Sequence, residues 1–130
     1  MFVKTVIYVD SVEEVLDFYY QAFGLSTCDM TDDGDYGELD TGEVKLAFAS
    51  HPLAQSQFKQ DYIRCHPKQP ALGFEITLSC VNVPECYDKA VEAGAEPLSA
   101  PSQKGSVTQA YVRAIEGTLV ALVSKTSTNE

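Results

Sequence analysis

The sequence predicts an α+β fold built from two βαβββ modules that follow one another in the chain. A strand pattern followed by a capped amphipathic helix occurs near the N-terminus and again about 70 residues later. Short strand patterns, separated by turn residues, follow each of the two helices. A chain of 130 residues has the usual length of one domain, so we expect a single domain over residues 1–130.

The first module is expected over about residues 2–50. Residues 2–9 are rich in Val, Ile and Tyr and alternate as a half-buried strand does. Ser11, followed three residues later by Glu14, is typical of a capping box, and Gly24 is typical of a helix end. The apolar residues between them recur at helical spacing: Val12, Val15, Leu16, Tyr19 and Phe23. Further strands are expected at 35–39 and 44–50.

The second module, expected over about residues 72–124, repeats this order. A strand pattern at 74–80 precedes Asn82 as the cap, with Glu85 three residues later, and Gly94 ends the helix. Its apolar stripe consists of Val83, Cys86, Tyr87, Ala90 and Val91. Later strands are expected at 109–114 and 118–124.

The linker at about residues 51–71 is longer than an ordinary loop, so we expect either a lid or a connection with some helix of its own. Its aromatic residues Phe58 and Tyr62 either cover a cavity or pack on the core. His51 and His66, the two histidines of the chain, each stand beside a proline, and we expect both at the surface.

The charge balance excludes one class of partner. Acidic residues number 19 against 9 basic ones, for a formal net charge of −10. Such a chain repels phosphate backbones, so nucleic acid is not an expected partner. The charge either keeps the protein soluble or attracts a cationic ligand. No apolar run approaches the roughly 20 residues of a membrane span, and no signal peptide pattern is seen, so we expect a cytoplasmic protein without membrane contact.

Two further patterns predict no metal site. The four cysteines form no CxxC pair, so we expect free thiols rather than disulfides or zinc ligands. An acidic stretch partly matches a calcium loop but lacks its final Glu, so we expect a solvated turn. Its acidic and hydroxyl residues are Asp29, Thr31, Asp33, Asp35 and Asp40.

Two sets of short strings resemble the signatures of one family. In the first module they are Val-Asp at 9–10, Asp-Phe-Tyr at 17–19 and Phe-Gly-Leu at 23–25. In the second they are Gly-Phe-Glu-Ile at 73–76, Ala-Gly-Ala at 93–95, Ala-Tyr-Val-Arg at 110–113 and Glu-Gly at 116–117. In this order they resemble the vicinal oxygen chelate superfamily of glyoxalases, bleomycin resistance proteins and extradiol dioxygenases. The resemblance implies two βαβββ modules forming a curved mixed sheet whose concave face holds the site.

The family's metalloenzymes place His or Glu ligands at four strand positions, which correspond here to Lys4, Ala47, Glu75 and Ala121. Only Glu75 could bind a metal, whereas a catalytic ion needs about three protein ligands. We therefore expect neither metal nor cofactor. The arrangement resembles the metal-free, ligand-sequestering branch of the family, and Lys4 could pair with Glu75 if their strands were adjacent.

Strand alternation then identifies the side chains that face the site. We predict no catalytic residue, and a ligand-binding set that combines tyrosines with a few charges. These residues are Lys4, Tyr8, Tyr36, Glu38, Glu75, Tyr111 and Arg113.

The leading hypothesis is a cytoplasmic homodimer that binds and sequesters a small molecule, such as a cationic or aromatic drug. A dimer is expected because each module would otherwise leave a sheet edge open. One alternative is a glyoxalase-like lyase or isomerase, or a dioxygenase, with a non-standard metal site. Another is a metal-free acid–base enzyme that uses Glu75 and Tyr111.

Overall fold

The computed structural model describes residues 1–124, which form two compact units, with unit 1 ending at Cys65 and unit 2 beginning at His66. Unit 1 contains, in order, β1 (Lys4–Val9), α1 (Val12–Phe23), β2 (Thr27–Met30), β3 (Tyr36–Leu39), β4 (Lys45–Ser50) and α2 (His51–Gln57). Unit 2 contains β5 (Glu75–Cys80), α3 (Val83–Ala93), β6 (Glu96–Lys104), β7 (Val107–Arg113) and β8 (Leu119–Ser124). The predicted α+β class and the two βαβββ modules are confirmed.

Unit 1 is a four-stranded mixed sheet in the order β1-β4-β3-β2, with β1 and β4 parallel and the other pairs antiparallel. Helix α1 begins where predicted, because the Ser11 hydroxyl accepts a hydrogen bond from the Glu14 amide at 3.3 Å. It ends at Gly24, whose φ of 72° is left-handed. The helix packs closely on the sheet at Gly37, where an added Cβ would lie 2.5 Å from Cδ1 of Leu16.

Unit 2 repeats this topology in the order β5-β8-β7-β6, with β5 and β8 parallel. The predicted cap of α3 is confirmed, since Oδ1 of Asn82 accepts a hydrogen bond from the Glu85 amide at 3.1 Å. The core of this unit contains the fully buried Val83, Val112, Val120 and Leu122. Strands β2 and β6 complete the three strands expected after each helix.

The linker is divided between the units. Its first part forms α2, where the Ser50 hydroxyl accepts a hydrogen bond from the Leu53 amide at 3.2 Å and Pro52 occupies the first turn. Its last part, from His66, belongs to unit 2. The expectation of a surface His51 is wrong, because this side chain is only 4% exposed, whereas His66 is exposed as predicted.

No helix within residues 1–124 is both long and apolar enough to cross a membrane. The acidic stretch after β2 forms a turn in which the Asp33 carboxylate accepts hydrogen bonds from the Thr31 hydroxyl at 2.7 Å and the Asp35 amide at 3.0 Å. These local bonds are typical of an Asx turn.

Candidate functional site

Unit 1 presents one sheet face that carries four of the predicted site residues. Strand pairing aligns Tyr8 with Ala49 and Ala49 with Tyr36, so these side chains share that face. Lys4 lies on the same face because residues two and four apart on a strand point the same way. Glu38 joins them through its pairing with Ala47. Lys4, Tyr8, Tyr36 and Glu38 therefore lie on one face of the sheet of unit 1.

Lys4, Tyr36 and Glu38 form a hydrogen-bonded cluster on that face. Nζ of Lys4 donates to the Tyr36 hydroxyl at 2.6 Å, and this hydroxyl donates to Oε2 of Glu38, also at 2.6 Å. Nζ of Lys4 is 3.5 Å from the same carboxylate oxygen. The ammonium and the carboxylate thus compensate each other inside unit 1.

The pKa shifts of the cluster follow from these contacts. The hydrogen bond to Tyr36 raises the pKa of Lys4, and the hydrogen bond from Tyr36 lowers the pKa of the Glu38 carboxyl. Partial burial, followed by the bond to Glu38, raises the pKa of Tyr36. All three shifts favour an ammonium, a neutral phenol and a carboxylate at neutral pH.

Beside this cluster lies an aromatic group formed by Tyr8, Phe58 and Tyr62. The Tyr8 ring centroid is 5.1 Å from that of Tyr62 and 6.2 Å from that of Phe58. The two linker aromatics therefore pack on a predicted site residue within unit 1. Their separation is typical of tilted aromatic pairs.

His51 fixes the position of Tyr62. Nδ1 of His51 lies 2.6 Å from the Tyr62 hydroxyl, and the rings are stacked with centroids 5.7 Å apart. On the other side, Nε2 is 3.3 Å from Oδ1 of Asp10. Burial, followed by the positive charge of Arg64, lowers the pKa of His51, so the ring is neutral at neutral pH and Nδ1 can accept the phenol proton.

Unit 2 presents a second face, on which Glu75, Thr77 and Ser79 are exposed. Thr77 pairs with Ala121, and Ala121 pairs with Tyr111 on its other side. Neighbouring strands are about 4.8 Å apart, so the Ala121 methyl group lies between the Thr77 side chain on one side and the Tyr111 side chain on the other. This combination of a carboxylate, hydroxyls and a half-buried phenol ring is suited to binding a small organic molecule.

The Glu75 carboxylate has no counterion among residues 66–124, the described part of its unit. Oε2 accepts a hydrogen bond from the Thr77 hydroxyl at 2.7 Å, and no Lys or Arg of the described part of unit 2 forms an ion pair with it. Because the residue is exposed, its charge is available to a ligand.

Arg113 shares a face with Tyr111 as predicted, but its guanidinium is occupied by backbone carbonyls. Nε donates to Gly117 at 3.0 Å, and Nη2 donates to His66 at 3.0 Å and to Gln69 at 2.5 Å. At Gly117, whose φ is 106°, an added Cβ would lie 3.0 Å from the His66 carbonyl carbon. Arg113 therefore holds the start of unit 2 in place rather than offering a free cation.

The four positions that hold metal in related enzymes do not fit a metal ion. Ala47 and Ala121 are buried and carry no donor atom, and the neighbours of Ala47 are Leu46 and Phe48. Lys4 supplies a cation. Across residues 1–124 there is no group of three or more His, Cys, Asp or Glu side chains that could hold a metal ion. Glu75 alone falls short of the three protein ligands that a catalytic ion needs.

Several residues of these faces were absent from the predicted site. The predicted set does not include His51, Asp10 or Thr77. The Ser-His-Pro string at 50–52 is a helix N-terminus signal that would have placed His51 at the start of α2. The contact between Asp10 and His51 joins the ends of two neighbouring strands and leaves no local sequence signal.

Known structures share this fold. A glyoxalase-related enzyme from Fulvimarina pelagi superposes with a TM-score of 0.81 at 12% identity, covering 96% of this chain and 88% of that one. A glyoxalase/bleomycin resistance protein/dioxygenase family enzyme from Burkholderia phytofirmans PsJN gives 0.71 at 21% identity, covering 94% and 96%. TioX from Micromonospora sp. ML1 gives 0.71 at 16% identity, covering 95% and 98%. No curated protein matches the sequence significantly.

The sequence itself carries the family relationship. The model of the Glyoxalase/Bleomycin resistance protein/Dioxygenase superfamily matches residues 2–121. This span includes all of the first module and the second module as far as residue 121 in β8. The protein therefore belongs to the Glyoxalase/Bleomycin resistance protein/Dioxygenase superfamily.

Proposed function

We propose that this protein binds and sequesters a small, flat, cationic organic molecule without metal-dependent chemistry. The proposal depends on which charged side chains of the predicted site already have partners within their own unit. Lys4 and Glu38 compensate each other, and Arg113 is hydrogen-bonded to backbone carbonyls. Glu75 is left as an exposed carboxylate without a counterion among the described residues of its unit.

The surroundings of Glu75 support a flat ligand. Tyr111 offers a half-buried aromatic ring, and strand register places the small side chain of Ala121 between Tyr111 and Thr77. A cation placed beside a carboxylate and a phenol ring gains both a charged hydrogen bond and a cation–π contact. The net charge of −10 adds a long-range attraction for cations.

The metal positions support binding rather than glyoxalase or dioxygenase chemistry. A lyase or dioxygenase of this family would need donor atoms where Ala47 and Ala121 stand. No feature of the described residues supplies substitutes for them. As proposed, the protein acts as a cytoplasmic homodimer, although the site on unit 2 needs neither property.

A thermal-shift panel tests the proposal. It compares flat cationic compounds, such as intercalating dyes and bleomycin-type glycopeptides, with anionic thiol adducts of matched size. The proposal expects stabilisation by cationic members, growing with ligand concentration, and recovery of the ligand unchanged after incubation. Stabilisation by the anionic adducts alone, or conversion of the ligand, would contradict it.

A further inference from the structure

Two cysteines of unit 2 face each other at the junction of β5 and α3. Cys80 is the last residue of β5 and points, with Ile76 and Leu78, away from the exposed face that carries Glu75. Cys86 lies within α3 on the same helical face as the buried Val83 and Ala90. Only Val81 and Asn82 separate the end of β5 from the start of α3, so the inward-facing Cys86 lies against Cys80 in the layer between strand and helix, and the two thiols interact.

The two thiols differ in accessibility. Cys80 is 7% exposed, and its sulfur lies 4.0 Å from the Leu78 carbonyl oxygen. Burial, followed by the contact with Cys86, raises the pKa of Cys80 to about 12. Cys86 is half-buried, so a small reagent from solvent reaches it first.

We propose that Cys80 and Cys86 are an oxidation site that closes to an intrachain disulfide when the protein meets a peroxide. The Cys86 thiolate attacks one peroxide oxygen and breaks the O–O bond, which gives a sulfenic acid on Cys86 and releases hydroxide that is protonated to water. The Cys80 sulfur then attacks the Cys86 sulfur. The S–O bond breaks, and the departing hydroxide takes the Cys80 proton as a second water. Two thiols are oxidised and one peroxide is reduced.

The difference in accessibility between Cys80 and Cys86 also determines how the disulfide is reduced. Because Cys80 is buried, a reducing thiol attacks the Cys86 sulfur and must expel Cys80 as the leaving group. A thiol of high pKa is a poor leaving group and, while protonated, a poor nucleophile, so both closure of the disulfide and its reduction are expected to be slow in the folded protein. This site is independent of ligand binding, because its side chains point away from the face that carries Glu75.

Peptide mapping of the unmodified protein tests the proposal without a variant. Trypsin cleaves after Lys68 and Lys89, so both cysteines fall in one peptide, residues 69–89. After exposure to stoichiometric hydrogen peroxide and then iodoacetamide in denaturant, this peptide is expected to lack label and to have lost two hydrogen atoms. Cys28 and Cys65 serve as internal references, because each lies in a different tryptic peptide.

Three variants sharpen the result. Cys28→Ser is expected to leave the disulfide unchanged, whereas Cys86→Ser is expected to leave Cys80 as a labelled thiol after the same treatment. In the Cys80→Ser variant, peroxide is expected to oxidise Cys86 to sulfenic and then sulfinic acid, because no second thiol is present to form the disulfide. Sulfinic acid on Cys86 of the unmodified sequence, or full labelling of both cysteines after peroxide, would overturn the proposal.

Discussion

Nζ of Lys4 lies 3.5 Å from Oε2 of Glu38, and the Tyr36 hydroxyl is hydrogen-bonded to both groups. The residue that occupies a ligand position of the family's metalloenzymes is therefore the counterion of a neighbouring carboxylate. This pairing keeps the ammonium and Glu38 neutral as a group. Glu75 differs from Glu38 because no ion pair of the described residues includes it.

The Lys4 cluster predicts how the pKa of Glu38 responds to substitution. Tyr36→Phe is expected to raise it more than Lys4→Met, because the hydrogen bond from Tyr36 is the larger cause of its lowering. Lys45→Met is the control and should change it least. Since Lys4 is partly exposed, losing its pair should cost less than about 1 kcal/mol of unfolding free energy. Carboxyl-carbon NMR titration of the three variants measures the order, and a larger effect of Lys45→Met would contradict the cluster.

His51 predicts a loss of stability in mild acid. Its pKa is lowered in the folded state, so the unfolded chain takes up the proton more readily. The unfolding free energy is therefore expected to be constant above about pH 6.5 and to fall as the pH decreases below that value. Urea unfolding between pH 7 and pH 5 measures the slope. His51→Gln should reduce the slope of the unfolding free energy against pH, and His66→Gln should not. Equal slopes in the unmodified protein and both variants would argue against a buried neutral imidazole.

The donor set predicts weak metal binding. With Ala47 and Ala121 at two of the four positions, Zn²⁺, Ni²⁺ or Mn²⁺ at modest excess should stabilise the protein by less than about 1 kcal/mol. Thermal unfolding with and without each ion measures this. Stoichiometric metal in protein purified without chelator, detected by elemental analysis, would instead support the lyase or dioxygenase alternative.

Open sheet edges predict a homodimer. All four residues of β2 are exposed, and this strand forms one edge of the sheet of unit 1. Unpaired edges of this kind favour association with a second copy. Light scattering at micromolar concentration is expected to give twice the mass of one chain, and a monomer under these conditions would rule the dimer out.

Much of the fold was predictable from the sequence, because its signals are local. The caps at Ser11 and Asn82, and the left-handed Gly24, needed only residues within one helix. Alternation along the strands indicates that Tyr8 shares a face with Lys4, and Tyr36 with Glu38, and the strand pairing joins these two pairs on one face. These signals depend on the periodicity of apolar residues and on the spacing of cap residues, which can be recognised even where sequence identity to known structures is low.

The interactions of the site were less predictable, because they depend on pairing between strands. The sequence allowed Lys4 to pair with Glu75, whereas the structure pairs it with Glu38 through an antiparallel neighbour of β4. Arg113 was expected to face a ligand, but its carbonyl partners come from a segment more than 40 residues earlier. The burial of His51 depends likewise on Tyr62 and Asp10, which are distant in the sequence.

The most direct test of the account is the affinity of a flat aromatic cation for the Glu75→Gln variant, measured by isothermal titration calorimetry. The ligand is the best cationic compound of the thermal-shift panel, and Glu92→Gln on the exposed side of α3 is the matched control with the same change in net charge. Loss of a charged hydrogen bond should weaken binding to Glu75→Gln by roughly 1 to 3 kcal/mol, with no comparable change for Glu92→Gln. Equal affinity of Glu75→Gln and the unmodified protein would contradict a site built on this carboxylate.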